Sequence, residues 1–597
     1  VLPDEAAIDR VFDYVVPPEL PGADRLTVGT EVRIALHGRR VGGWVVALDT
    51  VPPAGIELSA VSRIRGAGPP GDVVELCRWV AWRWAGRWAN VLRFASPGGA
   101  VVGLPARRSW HLGSPSAAGA AAELAGIALE AAGTAAGSGR PAVVRWPPAT
   151  PLMPLVRAVA ASLSGGSGSA IVVMPDAERV DAAARRLRQE GVAVAVLPRD
   201  WAMAASGGVV AIGARGAVFA PVPDPAVIVV VDEHDEALQD ERVPTWHARD
   251  VAVERARRAG VACLLVSPLP TPEAVAAAGG PDAVVVAPRL VERSGWSALV
   301  VVDRSGEEPR RRPLVAPAVV GLLRHPGRVL CVLNRTGHVR LARCATCRTP
   351  ARCERCGAAV SIPSGSAELQ CASCGVTRPP VCLGCGGGRF AAVRTGTAKA
   401  REELAVLAGE PVGEVTARTT ELPDERLLIG TEAVLRRVDR ADAVVFLDID
   451  GELLAPRMRA PQQALAMLAR ACRIVGGRAG RVVAQTNAPG HEVLDAVRLA
   501  DPGRFLAVEL ARRERLALPP WGALAQLSGP GAAALAGLLA PTLESIGGAF
   551  AAAGPAGGDV VVRAPSSAAL ADALDAALSR PDRPRERVRV EVDPPRI

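Results

Sequence analysis

Hydrophobic and polar positions repeat with different periods along this chain, and the period sorts it into segments. Within residues 1–100, Glu31-Val-Arg-Ile-Ala and the stretch from Val41 to Leu48 alternate in the manner of half-buried strands. One long helix is predicted from Val73 to Phe94, carrying Trp79, Trp82, Trp84 and Trp88. An aromatic stripe can stack on bases, but at helical spacing it reads as core. Residues 101–140 lose the pattern: Ala, Gly and Ser dominate, which predicts a linker with at most one helix.

From 141 to 290, apolar runs (Ala170–Met174, Val192–Leu197, Ala226–Val231, Val261–Val266) alternate with helical stretches such as Ala177–Glu190 and His247–Ala259. Short buried strands separated by helices predict a parallel sheet. A second α/β unit begins near Ala298 with Val300–Val302 and Val329–Leu333. It is interrupted, then resumes with Leu427–Ile429, Ala443–Leu447 and Val482–Thr486. The tail from about 505 starts helical, loosens between Gly529 and Gly558, and ends in the strand-like Arg587–Val592. The expected class is multidomain α/β, with a mainly-β domain over 1–100 and the linker over 101–140. One α/β lobe spans 141–290 and a second is built from 291–340 and 391–500. A cysteine-rich module fills 341–390, and an α+β domain closes the chain over 501–597.

A chain of 597 residues, 49% hydrophobic, can bury several cores. No apolar run is long enough to span a bilayer, and Val1-Leu-Pro-Asp-Glu lacks a signal-peptide layout, so a cytoplasmic, soluble protein is expected. The net charge of +8 permits binding to nucleic-acid phosphates without demanding it. That positive charge is almost all arginine, since Lys399 is the only lysine.

Eight of the 12 cysteines form four Cys-x-x-Cys pairs: Cys344/Cys347, Cys353/Cys356, Cys371/Cys374 and Cys382/Cys385. Each pair presents two thiolates on one side of a tight turn, half of a tetrahedral zinc shell. Glycine follows three pairs (Gly357, Gly375, Gly386), where such a turn favours tolerance of positive φ. Disulfides, redox dithiols and an iron site are the alternatives; two structural Zn²⁺ ions are the expectation.

Two tandem α/β lobes suggest a helicase-type ATPase with its chemistry at strand ends facing the interlobe cleft. Val230-Val-Asp-Glu-His-Asp ends a buried strand where a nucleotidase holds Mg²⁺ and water. In Gly476-Gly-Arg-Ala-Gly-Arg, Arg478 and Arg481 are candidates to reach a phosphate. Gly213-Ala-Arg-Gly-Ala-Val-Phe-Ala-Pro and Asn334-Arg-Thr-Gly-His also end strands with polar groups. Each of these is weak alone.

Their order carries more. Asp9-Arg-Val-Phe-Asp-Tyr, Gly213 to Pro221, Val231 to Asp235, Asn334 to His338, the eight cysteines, Gly430-Thr431, Gly477 to Arg481, Gln485-Thr486, Glu509 to Trp521 and Val588 to Pro594 follow one another as in the PriA replication-restart helicase family (primosomal protein N-prime). The chain resembles that family over nearly its whole length. The resemblance implies two RecA-like helicase lobes and an N-terminal 3′-end DNA-binding domain whose pocket matches Phe12, Asp13 and Tyr14. There Asp13 accepts a hydrogen bond from a 3′-hydroxyl, and Gly42 and Gly43 allow close backbone approach. It also implies nested zinc sites, Cys344, Cys347, Cys382 and Cys385 outside and Cys353, Cys356, Cys371 and Cys374 inside. The 14 residues between the inner pairs suit a zinc-ribbon hairpin. Arg343, Arg348, Arg352 and Arg355 around the knuckles are candidates to contact DNA phosphates or partner proteins, with solvated surface charge the favoured reading of each. The implied partners are forked and single-stranded DNA, single-stranded-DNA-binding protein and other primosome components, with the chain a monomer.

The motor parts depart from the family pattern. Where a phosphate-binding loop belongs, the chain reads Val143-Val-Arg-Trp-Pro-Pro-Ala-Thr-Pro, whose prolines have no N–H to form an amide nest. Lys399 lies in the second lobe and does not replace the missing loop lysine. The acidic motif begins at Val231 instead of Asp, the coupling motif reads Ser267-Pro-Leu-Pro, and Arg436-Arg-Val-Asp stands after Gly430-Thr431 in place of Lys-Gly-His-Asp. A winged helix expected after residue 100 is reduced or absent. The expectation is a replication-restart fork-binding scaffold with two zinc ions, no catalytic residues and no ATP. The alternatives are an active ATP-dependent 3′→5′ DNA helicase and a zinc-ribbon protein outside replication.

Overall fold

Alternation at the N-terminus becomes an antiparallel sheet. Strands β1 (Leu2–Pro3), β2 (Glu31–Leu36), β3 (Arg39–Trp44) and β4 (Val61–Gly66) lie in the order β1-β3-β2-β4. Val32, Ile34 and Leu36 point inward from β2 while Arg33 and Ala35 face solvent. The computed structural model describes the whole chain except residues 6–7, 53–54, 56, 113–118, 167, 308–312, 335–341, 348–350, 352, 355–359, 363–367, 372–375, 393–396, 456, 554–558 and 597.

The long helix expected from Val73 to Phe94 is two helices, α1 (Gly71–Arg83) and α2 (Trp88–Ala95). Trp84 is fully buried, Ala85 takes φ +48°, and a Cβ on Gly86 would strike the Pro244 ring at 2.5 Å. The chain must turn there to seat Trp84, and the only residue that fits against Pro244 is glycine. The tryptophans are structural: Trp79 and Trp84 meet edge-to-face at 5.6 Å, and the Trp88 indole donates to the Val74 carbonyl.

The Ala/Gly-rich stretch carries one helix, α3 (Ala120–Ala136), and it does not stand apart. Leu124, Ala125, Ala128 and Ala132 are buried in one cluster with Trp110, Trp146, Leu155 and Val159 of the first lobe. Small alanines let α3 approach closely, and their spacing makes one helix face.

The first lobe contains β5 (Ala142–Arg145), α4 (Met153–Ser162), β6 (Ser169–Val173), α5 (Ala177–Gln189), β7 (Val194–Val196), β8 (Val210–Gly213), β9 (Pro225–Val231), α6 (Ala248–Ala259), β10 (Ala262–Ser267), α7 (Pro272–Ala278) and β11 (Val284–Val286). Its seven strands are parallel in the order β11-β5-β10-β9-β6-β8-β7. Because β5, β10 and β9 are neighbours, Arg145, Ser267 and Val231 end side by side, and the loops that follow them share one crest.

The second lobe holds β12 (Ala298–Asp303), β13 (Val329–Val332), β14 (Gly413–Val415), β15 (Leu427–Gly430), α8 (Glu432–Arg437), β16 (Ala443–Phe446), α9 (Ala460–Ile474) and β17 (Arg481–Thr486), a parallel sheet ordered β12-β17-β16-β13-β15-β14. The cysteine-rich segment is inserted between β13 and β14 as short antiparallel pieces, Ala342–Cys344 against Phe390–Ala392, and Leu369–Cys371 between Val360–Ser361 and Thr377–Arg378.

The tail is better ordered than its composition predicts. After α10 (Pro502–Arg515) come β18 (Ala523–Ser528), α11 (Ala532–Ser545), β19 (Ala549–Ala553), β20 (Asp559–Ala564), α12 (Ser567–Leu578) and β21 (Arg589–Val592), with the antiparallel order β19-β20-β18-β21. The stretch expected to loosen from Gly529 forms α11, because Leu535, Leu539 and Leu543 recur every fourth residue and are buried. Arg83 of α1 reaches Asp593 at 2.7 Å and Ser567 at 2.8 Å, tying the N-terminal domain to the C-terminal one. Among the described residues, no helix is long and apolar enough to cross a membrane.

If α3 belongs to the lobe core, Leu124→Ala will destabilise that lobe by about 2–5 kcal/mol, the range for truncating a buried leucine. A lowered first transition in calorimetry would register it; an unchanged trace would make α3 an appendage.

Candidate functional sites: cleft, cysteines and N-terminal pocket

In the first part of the loop after β5, residues 146–151, each backbone donor is already taken. Of residues 146–151, only Trp146, Ala149 and Thr150 carry an N–H. Each donates to a protein carbonyl: Trp146 to Ser267 at 2.9 Å, Ala149 to Gly295 at 3.1 Å and Thr150 to Pro147 at 3.0 Å. The Trp146 indole also donates to the Thr150 carbonyl. A Cβ on Gly295 would meet Pro147 at 2.4 Å, and one on Gly477 would meet Ser294 at 2.2 Å and Ala149 at 3.1 Å. The loop is packed from both lobes.

The acidic residues after β9 are fully engaged. Asp232, at φ +52° and 3% exposed, receives both terminal nitrogens of Arg473 at 2.7 Å and Arg179 at 2.6 Å. Burial opposes its charge, but Arg473 and Arg179 outweigh it and hold the carboxyl well below the usual range. The Arg473 Nε also donates to the Pro148 carbonyl at 2.9 Å, so one guanidinium joins the loop, the acid and the second lobe. Glu233 is fully buried and accepts from the Thr271 N–H and hydroxyl, both at 2.8 Å, and from Arg249 at 3.4 Å. Burial raises its pKa against the pull of Arg249. Burial also lowers His234 to about 4, leaving a neutral ring at hydrogen-bond distance, 2.9 Å, from the Ser267 hydroxyl. Asp235 pairs with Arg470 and with Arg436 at 3.4 Å.

Arg473 and Arg470 on α9 face the acids, whereas Arg478 and Arg481, the arginines the motif singles out, are exposed to solvent. Nothing in the local sequence around Arg473 marks it; an arginine in the last turn of a helix is ordinary. Lys399 is exposed. Asn334 accepts from the Glu432 N–H at 2.6 Å and donates to Glu452 at 3.2 Å; its neighbours 335–338 lie outside the described residues.

The outer cysteines come together. The sulfurs of Cys344, Cys347, Cys382 and Cys385 all lie within 4.8 Å of one another, with Cys344 to Cys385 at 3.6 Å and Cys347 to Cys382 at 3.4 Å. A tetrahedral shell with metal–sulfur bonds near 2.3 Å needs about 3.8 Å between sulfurs, so these four residues fit a metal ion. Gly386 takes φ +71°, the left-handed turn expected after the second cysteine of a knuckle. Of the inner set, Cys353 and Cys371 are buried in one small cluster; Cys356 and Cys374, like Arg348, Arg352 and Arg355, lie outside the described residues.

In the N-terminal domain, Phe12 exchanges backbone hydrogen bonds with Val1 at 2.9 and 2.7 Å. Val1 in turn sits over Gly43, where a Cβ would meet it at 2.9 Å and the Leu2 carbonyl at 2.8 Å. Gly43 is therefore required by the pairing of β1 with β3, while the space beside Gly42 is open to 3.6 Å. Tyr14 donates to the Ala35 carbonyl at 2.8 Å, and Asp13 accepts from the Thr50 hydroxyl at 2.9 Å.

Residues 1–97 match the PriA 3′DNA-binding domain (3′BD) family. Among curated proteins, a probable replication restart protein PriA of Mycobacterium tuberculosis (strain CDC 1551 / Oshkosh) is 29% identical over 564 residues, covering 88% of this chain and 85% of that protein. The replication restart protein PriA of Bacillus subtilis (strain 168) is 26% identical over 344 residues, 53% of this chain and 42% of that protein. Among solved structures, a point variant of S. cerevisiae Dbp5 bound to RNA and ADP BeF3 superposes with a TM-score of 0.34 at 12% identity, over 60% of this chain and 83% of that one.

The cleft pairs make an acid-sensitivity prediction. Asp235 is held at about 2 in the folded protein, against about 3.9 unfolded. A depressed carboxyl pKa contributes stability that is complete above the unfolded value and is lost as pH falls from there through the folded value. Asp235→Asn should lower stability at neutral pH, and the deficit should shrink between pH 4 and 2. Thermal midpoints across that window check it; a deficit that stays constant through the window would count against the pairing.

Proposed function

We propose that the chain is a member of the PriA replication-restart family that binds stalled or branched replication forks and recruits the proteins that reload the replicative helicase, without a motor of its own. The observation that carries this reading is the loop after β5, where every N–H of residues 146–151 already has a protein acceptor. Phosphoryl transfer depends on donors and a metal placed around the transferred group. Here the family's leading acid is absent or shifted by one residue, and Asp232, the first acid present, is bound by two arginines. Residues 146–151 offer ATP no free amide, and the one lysine lies in the second lobe. The rival reading, an ATP-dependent 3′→5′ helicase, would require both Pro147 and Arg473 to leave their present contacts.

DNA recognition would rest on the N-terminal domain. Asp13, which accepts from Thr50, would accept a hydrogen bond from a 3′-hydroxyl, with Phe12 and Tyr14 shaping the segment and the open space beside Gly42 taking the strand end. The outer and inner cysteine sets would each hold one structural Zn²⁺, and the ions would fix the knuckles that interrupt the second lobe. In that role zinc orders backbone and takes no part in chemistry.

Purified protein, assayed with and without a fork bearing a 3′ end at the branch, should bind the fork and show no ATP hydrolysis above background. Fork-stimulated turnover would defeat the scaffold reading. Metal analysis should give two zinc ions per chain, with Cys347→Ser/Cys382→Ser retaining one; a single ion in the parent chain would remove the inner site. Asp13→Ala should erase the preference for a 3′-hydroxyl over a 3′-phosphate while leaving binding to blunt duplex unchanged, as read by fluorescence anisotropy.

A further inference from the structure

The contacts between the two lobes form one continuous set. Asp232, Asp235, Glu236 and Glu273 of the first lobe meet, respectively, Arg473, Arg470, Gln463 and Arg459 of the second. Three of these partners lie on α9 and the fourth caps it. Their spacing of 4, 7 and 3 residues puts all of them on one stripe of the helix, within a single narrow arc at 100° per residue. Arg179 and Arg436 add a second guanidinium to Asp232 and Asp235, and Arg513, itself fully buried, adds one to Glu273 at 3.1 Å. The C-terminal strand is tied to the same seam: Gln463 donates to the Pro595 carbonyl at 3.3 Å and Gln239 to the Asp593 carbonyl at 2.9 Å.

A ligand closes two lobes only by contacting the closed form better than the open one. In a nucleotide-driven pair, the phosphates and their metal lie between the acid of one lobe and the arginine of the other. Here Asp232 and Arg473 touch directly, with two parallel N–H···O bonds and no gap to fill.

We infer that the α9 stripe is a permanent clasp, which holds the lobes shut and fixes their relative orientation in the absence of any nucleotide. This rests on the reading of the lobes as nucleotide-free and goes beyond it. The closed arrangement becomes a standing feature of the scaffold, so partners and DNA meet a preset surface instead of one that cycles.

Single-molecule energy transfer on the full chain tests this. Exposed Arg185 on α5 and exposed Glu402 in the second lobe are replaced by p-azidophenylalanine and labelled by click chemistry, which spares the cysteines. The parent chain should give one narrow, high-transfer population. Asp232→Asn/Asp235→Asn should release a lower-transfer population of more than about a tenth of molecules, above the usual minor-state level. Arg470→Ala/Arg473→Ala, which cuts the same contacts from the other lobe, should do likewise, so that a fold-specific failure of one variant still leaves the other to be read. Two populations in the parent chain at rest, or narrow parental distributions in both variants, would overturn the clasp. ADP with aluminium fluoride is added in a separate arm. A nucleotide-induced shift there counts against the nucleotide-free reading, whereas the variants judge the clasp with no nucleotide present.

Discussion

The bidentate pair between Arg473 and Asp232 is the contact on which the arrangement of the lobes turns. Asp232 is withdrawn from water, and a buried charge without its partner costs about 3–5 kcal/mol. Neither side can therefore be lost cheaply, and neither can be shared with a phosphate or a magnesium ion without breaking the pair. The same guanidinium takes the Pro148 carbonyl, so the position of the loop after β5 follows from the position of α9. Backbone groups buried in a loop must find partners, and this loop finds them within the protein: Ser267, Gly295 and Pro147 accept, and Arg473 donates.

The rest of the acidic motif braces the first lobe. Glu233 caps nothing exposed; it is held by the N–H and hydroxyl of Thr271 at the start of α7 and by Arg249. His234, neutral through burial, bonds Ser267 at the end of β10. Thr271 and Ser267 both lie at the β10–α7 connection, so Glu233 and His234 anchor the end of β9 to the neighbouring strand and its following helix. Each member of Asp232-Glu-His-Asp thus has partners within the protein that are independent of any ligand.

Much of this was legible from local pattern. Strands at Ala226–Val231 and Val261–Val266 were marked by continuous apolar runs, and the outer cysteines by spacing, since both signals lie within a few residues. The break at Trp84–Gly86 was not, because it depends on Pro244, a residue more than a hundred positions away that leaves no room for a side chain. The packing of α3 was hidden by composition: alanine and glycine read as linker, yet alanine is also the residue that lets one helix lie close on another. The clasp was the least legible of all. Arg473 and Asp232 are 241 residues apart, and an arginine on a helix gives no sign of which carboxylate it will meet.

Arginine's chemistry connects the composition to the cleft. A phosphate-binding loop uses lysine as a compact point charge at the tip of a flexible stem, whereas guanidinium is a rigid fork suited to two-point pairing with a carboxylate. A chain that has kept one exposed lysine and otherwise only arginine is poorly equipped for the first task and well equipped for the second. Arg179, Arg436, Arg470 and Arg473 all meet carboxylates across or beside the cleft. Residues 147 and 148 are proline and bring no N–H to the loop, while the arginines satisfy the buried acids beside it. The interlobe seam therefore rests on guanidinium–carboxylate pairing, and it supplies Asp232 and Asp235 with partners that these buried charges would otherwise lack.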